Sequence, residues 1–212
     1  MDLVIAVDGP AASGKGTVAS ALARKYGLPY LDTGLLYRAV GVLTEAAGHD
    51  LENSAAAAEI AASLDALALE DPLFRTRGAG EAASRVAVHA PVRDALLYLQ
   101  RRFAGQRGGA VLDGRDIGTV IAPNATAKLF VTASAEVRAM RRWKQLLAEN
   151  EALSLDDVLA DIRMRDERDS LRAAAPLVRA TDAALLDTSE MSIDHAFREA
   201  RRLVEIARSP KG

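Results

Sequence analysis

The run Gly9-Pro10-Ala11-Ala12-Ser13-Gly14-Lys15-Gly16-Thr17 constrains the fold more than any other stretch of the chain. It fits Gly-x-x-x-x-Gly-Lys, with its hydroxyl residue, Thr17, one place later than the common Gly-Lys-Ser/Thr order. Leu3 to Val7 is a continuous apolar run, as expected of a strand buried on both faces. From about Gly14 to Tyr26 the chain reads as a helix, stopped by Gly27 and Pro29. A strand, a glycine-rich turn and a helix in this order make a phosphate-binding loop. The glycines let backbone N–H groups converge on phosphate oxygens, and the helix adds its positive N-terminal end. Lys15 is placed to neutralise the β- and γ-phosphates of ATP, and the Thr17 hydroxyl is the natural Mg2+ ligand. By itself the loop does not separate a kinase from an ATPase or a nucleotide-driven switch.

Further short apolar runs, Tyr30-Leu31, Ala110–Asp113, Ala127–Thr132 and Ala183–Asp187, alternate with helical stretches. That alternation predicts an α/β fold, a parallel sheet with helices on both faces. Asp32 or Thr33 is expected to cap a helix whose Leu36, Val40, Leu43 and Ala47 share a face, ending near Gly48. Ser54 is expected to cap an alanine-rich helix through Leu64. Glu70-Asp71-Pro72 to Gly78-Ala79-Gly80 reads as a loop, followed by a helix near Glu81–Val88. Pro91 suits the first turn of a helix reaching about Ala104, and Ser134 a cap for one reaching about Asn150. Ser154-x-x-Asp157 resembles a capping box before Val158, Leu159 and Ile162, and a last helix spans about Ser192 to Ala207.

Composition narrows the chemistry. The chain has 212 residues, half of them hydrophobic, enough for one sizeable core with small inserted subdomains. Its 27 basic and 29 acidic side chains leave a charge near −2, which does not call for a bulk polyanion such as DNA or RNA. No cysteine is present, so disulfides, thiolate nucleophiles and cysteine-held metals are excluded. His49, His89 and His195 show no metal-ligand spacing. The first apolar run is too short for a signal segment, and no run approaches the roughly 20 residues of a membrane span. A cytoplasmic location is expected.

Three charged motifs stand beside these elements. Leu31-Asp32-Thr33-Gly34-Leu35-Leu36-Tyr37-Arg38 starts at a strand end, where parallel α/β sheets place ligands. There Arg38 can fork onto a phosphate and Tyr37 can stack or hydrogen-bond. Asp113-Gly114-Arg115-Asp116 follows the second buried strand; Arg115 suits a phosphate and Asp116 an amino donor. In the run from Arg163 to Arg172, Arg165, Arg168 and Arg172 share one helical face, with Asp169 beside Arg165. An isolated run of this kind is ordinarily a solvated helix. In a chain with a phosphate loop, an arginine-rich face points to a clamp on a migrating phosphoryl group. With no evident nucleophile, direct in-line transfer is expected, with Lys15, Arg165, Arg168 and Arg172 as catalytic residues.

Taken together, Gly-Pro-x-x-x-Gly-Lys-Gly-Thr at 9–17, Leu-Asp-Thr-Gly-x-x-Tyr-Arg at 31–38, Asp-Gly-Arg-Asp-Ile-Gly-Thr-Val at 113–120 and Arg-Asp-x-Arg-Asp-x-x-Arg with Ala-Pro-Leu at 165–177 resemble bacterial cytidylate kinases. The resemblance runs in order over nearly the whole chain. It implies a P-loop NTPase-type three-layer fold, a five-stranded parallel sheet flanked by helices with a monophosphate-binding insert and a helical lid. The core would be about 1–48, 91–133 and 173–212, the insert about 49–90 and the lid about 134–172. The implied reaction is ATP- and Mg2+-dependent phosphorylation of CMP and dCMP. Thr33, Tyr37 and Arg38 would belong to the monophosphate site, with Arg38, Arg115 and Arg172 on the acceptor phosphate. Arg165 and Asp169 would meet the ribose, and Ser84, Arg93 and Asp116 the base. The segment Leu69–Ala82 departs from the family in lacking a longer β-rich stretch, so the insert is expected as helices and a loop. Another acceptor, UMP or AMP, and a nucleotide switch or ATPase stay open as alternatives. The expected partners are small nucleotides, without nucleic-acid polymer or membrane, and the expected form is a monomer.

Overall fold

The computed structural model of the chain describes residues 2–64, 69, 71–148 and 153–209. Five strands form one parallel sheet in the order β2-β3-β1-β4-β5: β1 (Leu3–Asp8), β2 (Tyr30–Asp32), β3 (Gly109–Gly114), β4 (Ala127–Thr132) and β5 (Ala184–Asp187). Between and after them lie α1 (Lys15–Tyr26), α2 (Thr33–Ala46), α3 (Ser54–Ser63), α4 (Arg77–Val86), α5 (Ala90–Ala104), α6 (Ala135–Ala148), α7 (Leu155–Leu171) and α8 (Ile193–Arg208). A short 3-10 turn (Pro72–Arg75) and a π turn (Ile117–Ile121) complete the described elements.

The strand alternation builds two faces. Ile5 and Val7 of β1 and Val111 of β3 join a core with Val18 and Leu22 of α1 and Ala200 and Val204 of α8. Ala6 and Leu112 point the other way, into a core with Leu36 and Val40 of α2 and Leu96 of α5. Each fully buried leucine of this kind, such as Leu22 or Leu112, contributes roughly 1.5–3 kcal/mol. A smaller cluster of Ala11, Ala139, Leu146, Val158 and Ile162 ties α6 and α7 to the phosphate loop. Because β1 and β3 are neighbours in register, Val7 lies opposite Asp113 and Asp8 opposite Gly114. The loop after β1 and the charged segment after β3 therefore leave the sheet side by side.

Several local expectations are corrected. The buried stripe of α2 runs through Leu36, Tyr37, Val40, Gly41 and Thr44, while Leu43 is 38% exposed and Ala47 lies outside the core. The stripe turns because a Cβ on Gly41 would stand 2.6 Å from the Ala82 Cβ, so α4 presses directly on the α2 backbone there. Asn53, not Ser54, caps α3, its Oδ1 accepting from the Ala56 N–H at 3.2 Å. The expected loop through Gly78 and Gly80 is instead the start of α4. Thr76 caps that helix by accepting from Ala79 N–H, and burial of Ala79, Ala82, Ala83 and Val86 outweighs the cost of two glycines. The expected helix end near Asn150 and the loop start at Glu70 lie outside the described residues. The capping box of Ser154 and Asp157 is present in full.

Candidate active site at the strand ends

The phosphate loop is held by close backbone packing. A Cβ on Gly9 would lie 2.0 Å from the Val131 carbonyl oxygen, so only glycine fits between β1 and β4. Gly14 takes left-handed backbone at φ 88°, which glycine adopts freely, and Ala12 does so at φ 58°, a strain that clusters at ligand-gripping loops. Pro10, Ala11 and Ser13 are buried, and the Ser13 hydroxyl has no hydrogen-bond partner. α1 starts at Lys15 with no side-chain cap, which leaves its first N–H groups open to an anion. Gly16 follows, and Thr17 is exposed on the first turn.

Lys15 faces Asp113. Its Nζ lies 3.8 Å from Oδ2 of that residue, and Tyr30 Oη donates to Oδ1 at 2.6 Å. Burial, with Arg115 adding repulsion, pushes the Lys15 ammonium down to about 8, against the pull of Asp113. Burial holds the Asp113 carboxyl above its ordinary value, with Lys15 opposing it. A cation would relieve this desolvated carboxylate, and hard divalent ions take one or two carboxylates beside phosphate oxygens. Asp113 and Thr17 therefore fit the role of holding Mg2+ with bound ATP.

Beyond Lys15 opens a cleft that gathers every residue expected on the acceptor side: Thr33, Tyr37, Arg38, Ser84, Arg93, Arg115, Asp116, Arg165, Asp169 and Arg172. With Lys15 it has six cationic side chains against three carboxylates, Asp32, Asp116 and Asp169. The carboxylates hold the arginines in place. Arg38 Nη2 donates to Asp32 Oδ2 at 2.5 Å, and Asp32 Oδ1 caps α2 through Leu35 N–H. Arg115 Nε donates to Asp169 Oδ2 at 2.6 Å. Arg93 pairs with Asp116, and Arg172 Nη2 lies 3.7 Å from Asp116 Oδ1. The Arg93 guanidinium also sits 5.8 Å from the Tyr37 ring centre, a cation–π distance. Thr33 Oγ1 donates to the Asp113 carbonyl at 2.8 Å.

Donors are left over. The Nε atoms of Arg38 and Arg165, Nη2 of Arg172 and the Ser84 hydroxyl are buried without hydrogen-bond partners. Unpaired buried donors are costly, so a cluster of them marks a place for acceptor oxygens. Burial, together with Arg115, lowers Arg165 to about 10, and burial with Arg93 lowers Arg172. A larger opening between α4, α6 and α7, lined by Ala11, Ala12, Arg77, Gly80, Arg142 and Leu146, shares Lys15, Arg38, Arg115 and Arg165 with this cleft.

Arg168 is not among the cleft residues. It points to α4 and pairs with Glu81 at 2.9 Å, while Arg77 of α4 pairs with Asp161 of α7 at 2.5 Å. Residues not singled out from sequence also bear on the site. Asp32 and Asp113 supply counter-charges. Arg138 donates to the Ala11 carbonyl at 3.3 Å and to Asp166, and Arg141 to Thr188 and the Ser13 carbonyl. The signals were faint: an aspartate at the C-terminal end of two short apolar runs, Asp32 and Asp113, and arginines one helical turn apart on α6.

The family model of cytidylate kinases matches residues 5–205. The chain belongs to the cytidylate kinase family. It is 64% identical to the cytidylate kinase of Caulobacter sp. (strain K31), with 100% of each chain covered. It is 61% identical to that of Xanthobacter autotrophicus (strain ATCC BAA-1158 / Py2), covering 98% and 99%, and 52% identical to that of Brucella suis biovar 1 (strain 1330), covering 96% and 93%. Among solved structures, an uncharacterised protein from Eubacterium ventriosum matches with a TM-score of 0.58 at 14% identity, over 97% of this chain and 99% of that one. An unliganded sugar kinase from Janibacter sp. matches with a TM-score of 0.52 at 14% identity, over 98% and 97%. These two share the fold. As a member of the cytidylate kinase family the chain is an enzyme, a kinase. Among the described residues, no helix is long and apolar enough to cross a membrane.

Proposed function

We propose that this cytidylate kinase family member transfers the γ-phosphoryl group of ATP to CMP and dCMP, giving CDP and dCDP, by direct in-line displacement. An oxygen of the acceptor phosphate attacks the γ-phosphorus, the bond to the β–γ bridging oxygen breaks, and ADP leaves. The loop Gly9–Thr17 binds the phosphates of ATP, and Lys15 meets charge that builds on the transferred group. Arg38, Arg115 and Arg172 grip the acceptor phosphate, and Arg165 and Asp169 lie on its ribose side. Thr33 and Tyr37 complete the monophosphate site. Mg2+, held with ATP by Thr17 and Asp113, supplies positive charge to the phosphate oxygens when bound.

The observation that carries the reading is the Arg93–Asp116 pair beside the unpartnered Ser84 hydroxyl, in the same cleft as Lys15. Cytosine offers an N4 amino donor, from which Asp116 accepts, and O2 and N3 acceptors, to which Arg93 and Ser84 donate. Uracil reverses two of these partners, and each unpaired buried polar group costs about 1–3 kcal/mol. In this reading residues 49–90 are the acceptor-side insert and 134–172 a lid that closes over the transfer site to exclude water. The α4–α7 ion pairs and the contacts of Arg138 and Arg141 with the loop support such a lid. The enzyme acts as a cytoplasmic monomer on free nucleotides; light scattering at assay concentration tests the monomer.

A coupled ADP assay across CMP, dCMP, UMP and AMP tests the acceptor. CMP and dCMP are expected to give the highest kcat/KM. Equal or better use of UMP or AMP overturns the cytosine reading, and acceptor-free ATP hydrolysis at the transfer rate overturns the kinase reading.

A further inference from the structure

Asp8 ends β1, directly before the phosphate loop, and its carboxylate is buried. Both oxygens are used inside the protein. Oδ1 accepts from the Ile117 N–H and Oδ2 from the Gly118 N–H, each at 2.7 Å. These amides open the π turn Ile117–Ile121, in which Val120 and Ile121 N–H donate to the Asp116 carbonyl and Ala122 N–H to that of Ile117. The first amides of any helical turn lack an internal partner. An aspartate at the N-cap ordinarily turns its own carboxylate onto them. Asp116 is that N-cap residue, at φ −143° and ψ 25°, yet makes no cap bond. Its carboxylate is engaged with Arg93, with Arg172 near by. The capping is done by a side chain from another strand.

We propose that Asp8 is a positioning residue for acceptor recognition: by capping the 117–121 turn from β1 it frees the Asp116 carboxylate to stay beside Arg93 and read the base. The inference rests on the reading that Asp116 accepts from cytosine. The competition behind it is simple. Without Asp8, two buried N–H groups lose their acceptor, at a cost of about 1–3 kcal/mol each. The ordinary replacement is the N-cap residue Asp116 itself, and turning onto its own amides draws its carboxylate from Arg93. The contact is tight as well as short: a Cβ on Gly118 would lie 3.3 Å from Asp8 Oδ2 and 3.2 Å from Lys128 Cδ.

Asp8→Asn keeps the shape but sets an amide NH2 against one of the two N–H groups. The expected result is a fall of about tenfold in the CMP-over-UMP ratio of kcat/KM, carried by KM for CMP, with KM for ATP within about twofold. A merely structural lesion beside the phosphate loop would move both KM values together, and that pattern overturns the proposal. Asp116→Asn is the parallel control. If it lowers the ratio and Asp8→Asn does not, the positioning role is overturned while the base reading stands. If Asp116→Asn leaves the ratio unchanged, the base reading fails, and a crystal structure of Asp8→Asn decides the positioning role alone. Asp116 turned back onto the Ile117 or Gly118 amide sustains it; Asp116 still on Arg93 overturns it. Should Asp8→Asn fail to fold, Gly118→Ala reads the same contact, because its new Cβ displaces the turn from Asp8. A similar fall in the ratio supports the proposal, and an unchanged ratio overturns it.

Discussion

Lys15 of the phosphate loop and Asp113 at the end of β3 face each other with Nζ 3.8 Å from Oδ2. The sheet register makes this meeting unavoidable, since β1 and β3 run side by side and Asp113 lies opposite Val7, two residues before the loop begins. The lysine is thus held at the start of α1 before any phosphate arrives. Its charge is most needed where negative charge develops in the transition state. Lys15→Ala is expected to lower kcat by about a hundredfold or more while changing KM for ATP far less. Steady-state kinetics checks this, and an unchanged kcat removes Lys15 from the transition state.

Arg165 and Arg168 are three residues apart on α7 but do different things. Arg165 lines the cleft with a buried, unpartnered Nε; Arg168 pairs with Glu81 on α4. Arg165→Ala is expected to cost about a hundredfold in kcat/KM for CMP. Arg168→Ala should cost much less, with a coupling to Glu81 below about 1 kcal/mol in a double-mutant cycle. Equal losses from the two substitutions would put Arg168 back in the transfer site.

Gly9 has no room for a side chain. A Cβ would reach 2.0 Å from the Val131 carbonyl oxygen, so Gly9→Ala must force β1 and β4 apart or move the loop. Destabilisation of more than about 2 kcal/mol is expected, from overpacking and backbone strain. Urea unfolding measures it, and a near-neutral midpoint contradicts the packing.

Asp8 gives a signed pH dependence. Burial raises its carboxyl to about 7, outweighing the two backbone N–H bonds that favour the anion. In the unfolded chain it titrates near the ordinary aspartate value of 3.8. Between these values the folded protein binds more protons than the unfolded chain, so this group withdraws stability as pH rises from about 4 to about 7. The stability of the wild type relative to Asp8→Asn should therefore decline over that range and level off above it. Urea midpoints at pH 5, 6, 7 and 8 test the sign; a relative stability that rises with pH would mean that the hydrogen bonds outweigh burial.

Much of the architecture was legible because it is local. The continuous run Leu3–Val7, the glycines at 9 and 14 and the helix after them need no distant partner to be read. The other apolar runs each became a strand within a residue or so of the expected bounds, and the capping box at Ser154 formed as written. The start of α4 was not legible. Gly78 and Gly80 signal a loop, and only the burial of Ala79 and the packing of Ala82 and Ala83 onto α2, where Gly41 leaves space, carry the helix through them.

The chain by itself determined the glycine-rich loop between β1 and α1, because such a loop is a backbone geometry set by neighbouring residues. It also determined which motifs carry arginine and aspartate, since residue types survive in any fold. The tertiary structure alone decided which of them converge. The rotation of α7 against α4 sends Arg165 into the cleft and Arg168 onto Glu81. The β1–β3 register sets Asp113 against Lys15 and brings Asp8 to cap a turn 109 residues away. Side-chain direction at such points depends on how separate elements pack, and no local pattern in the chain encodes that.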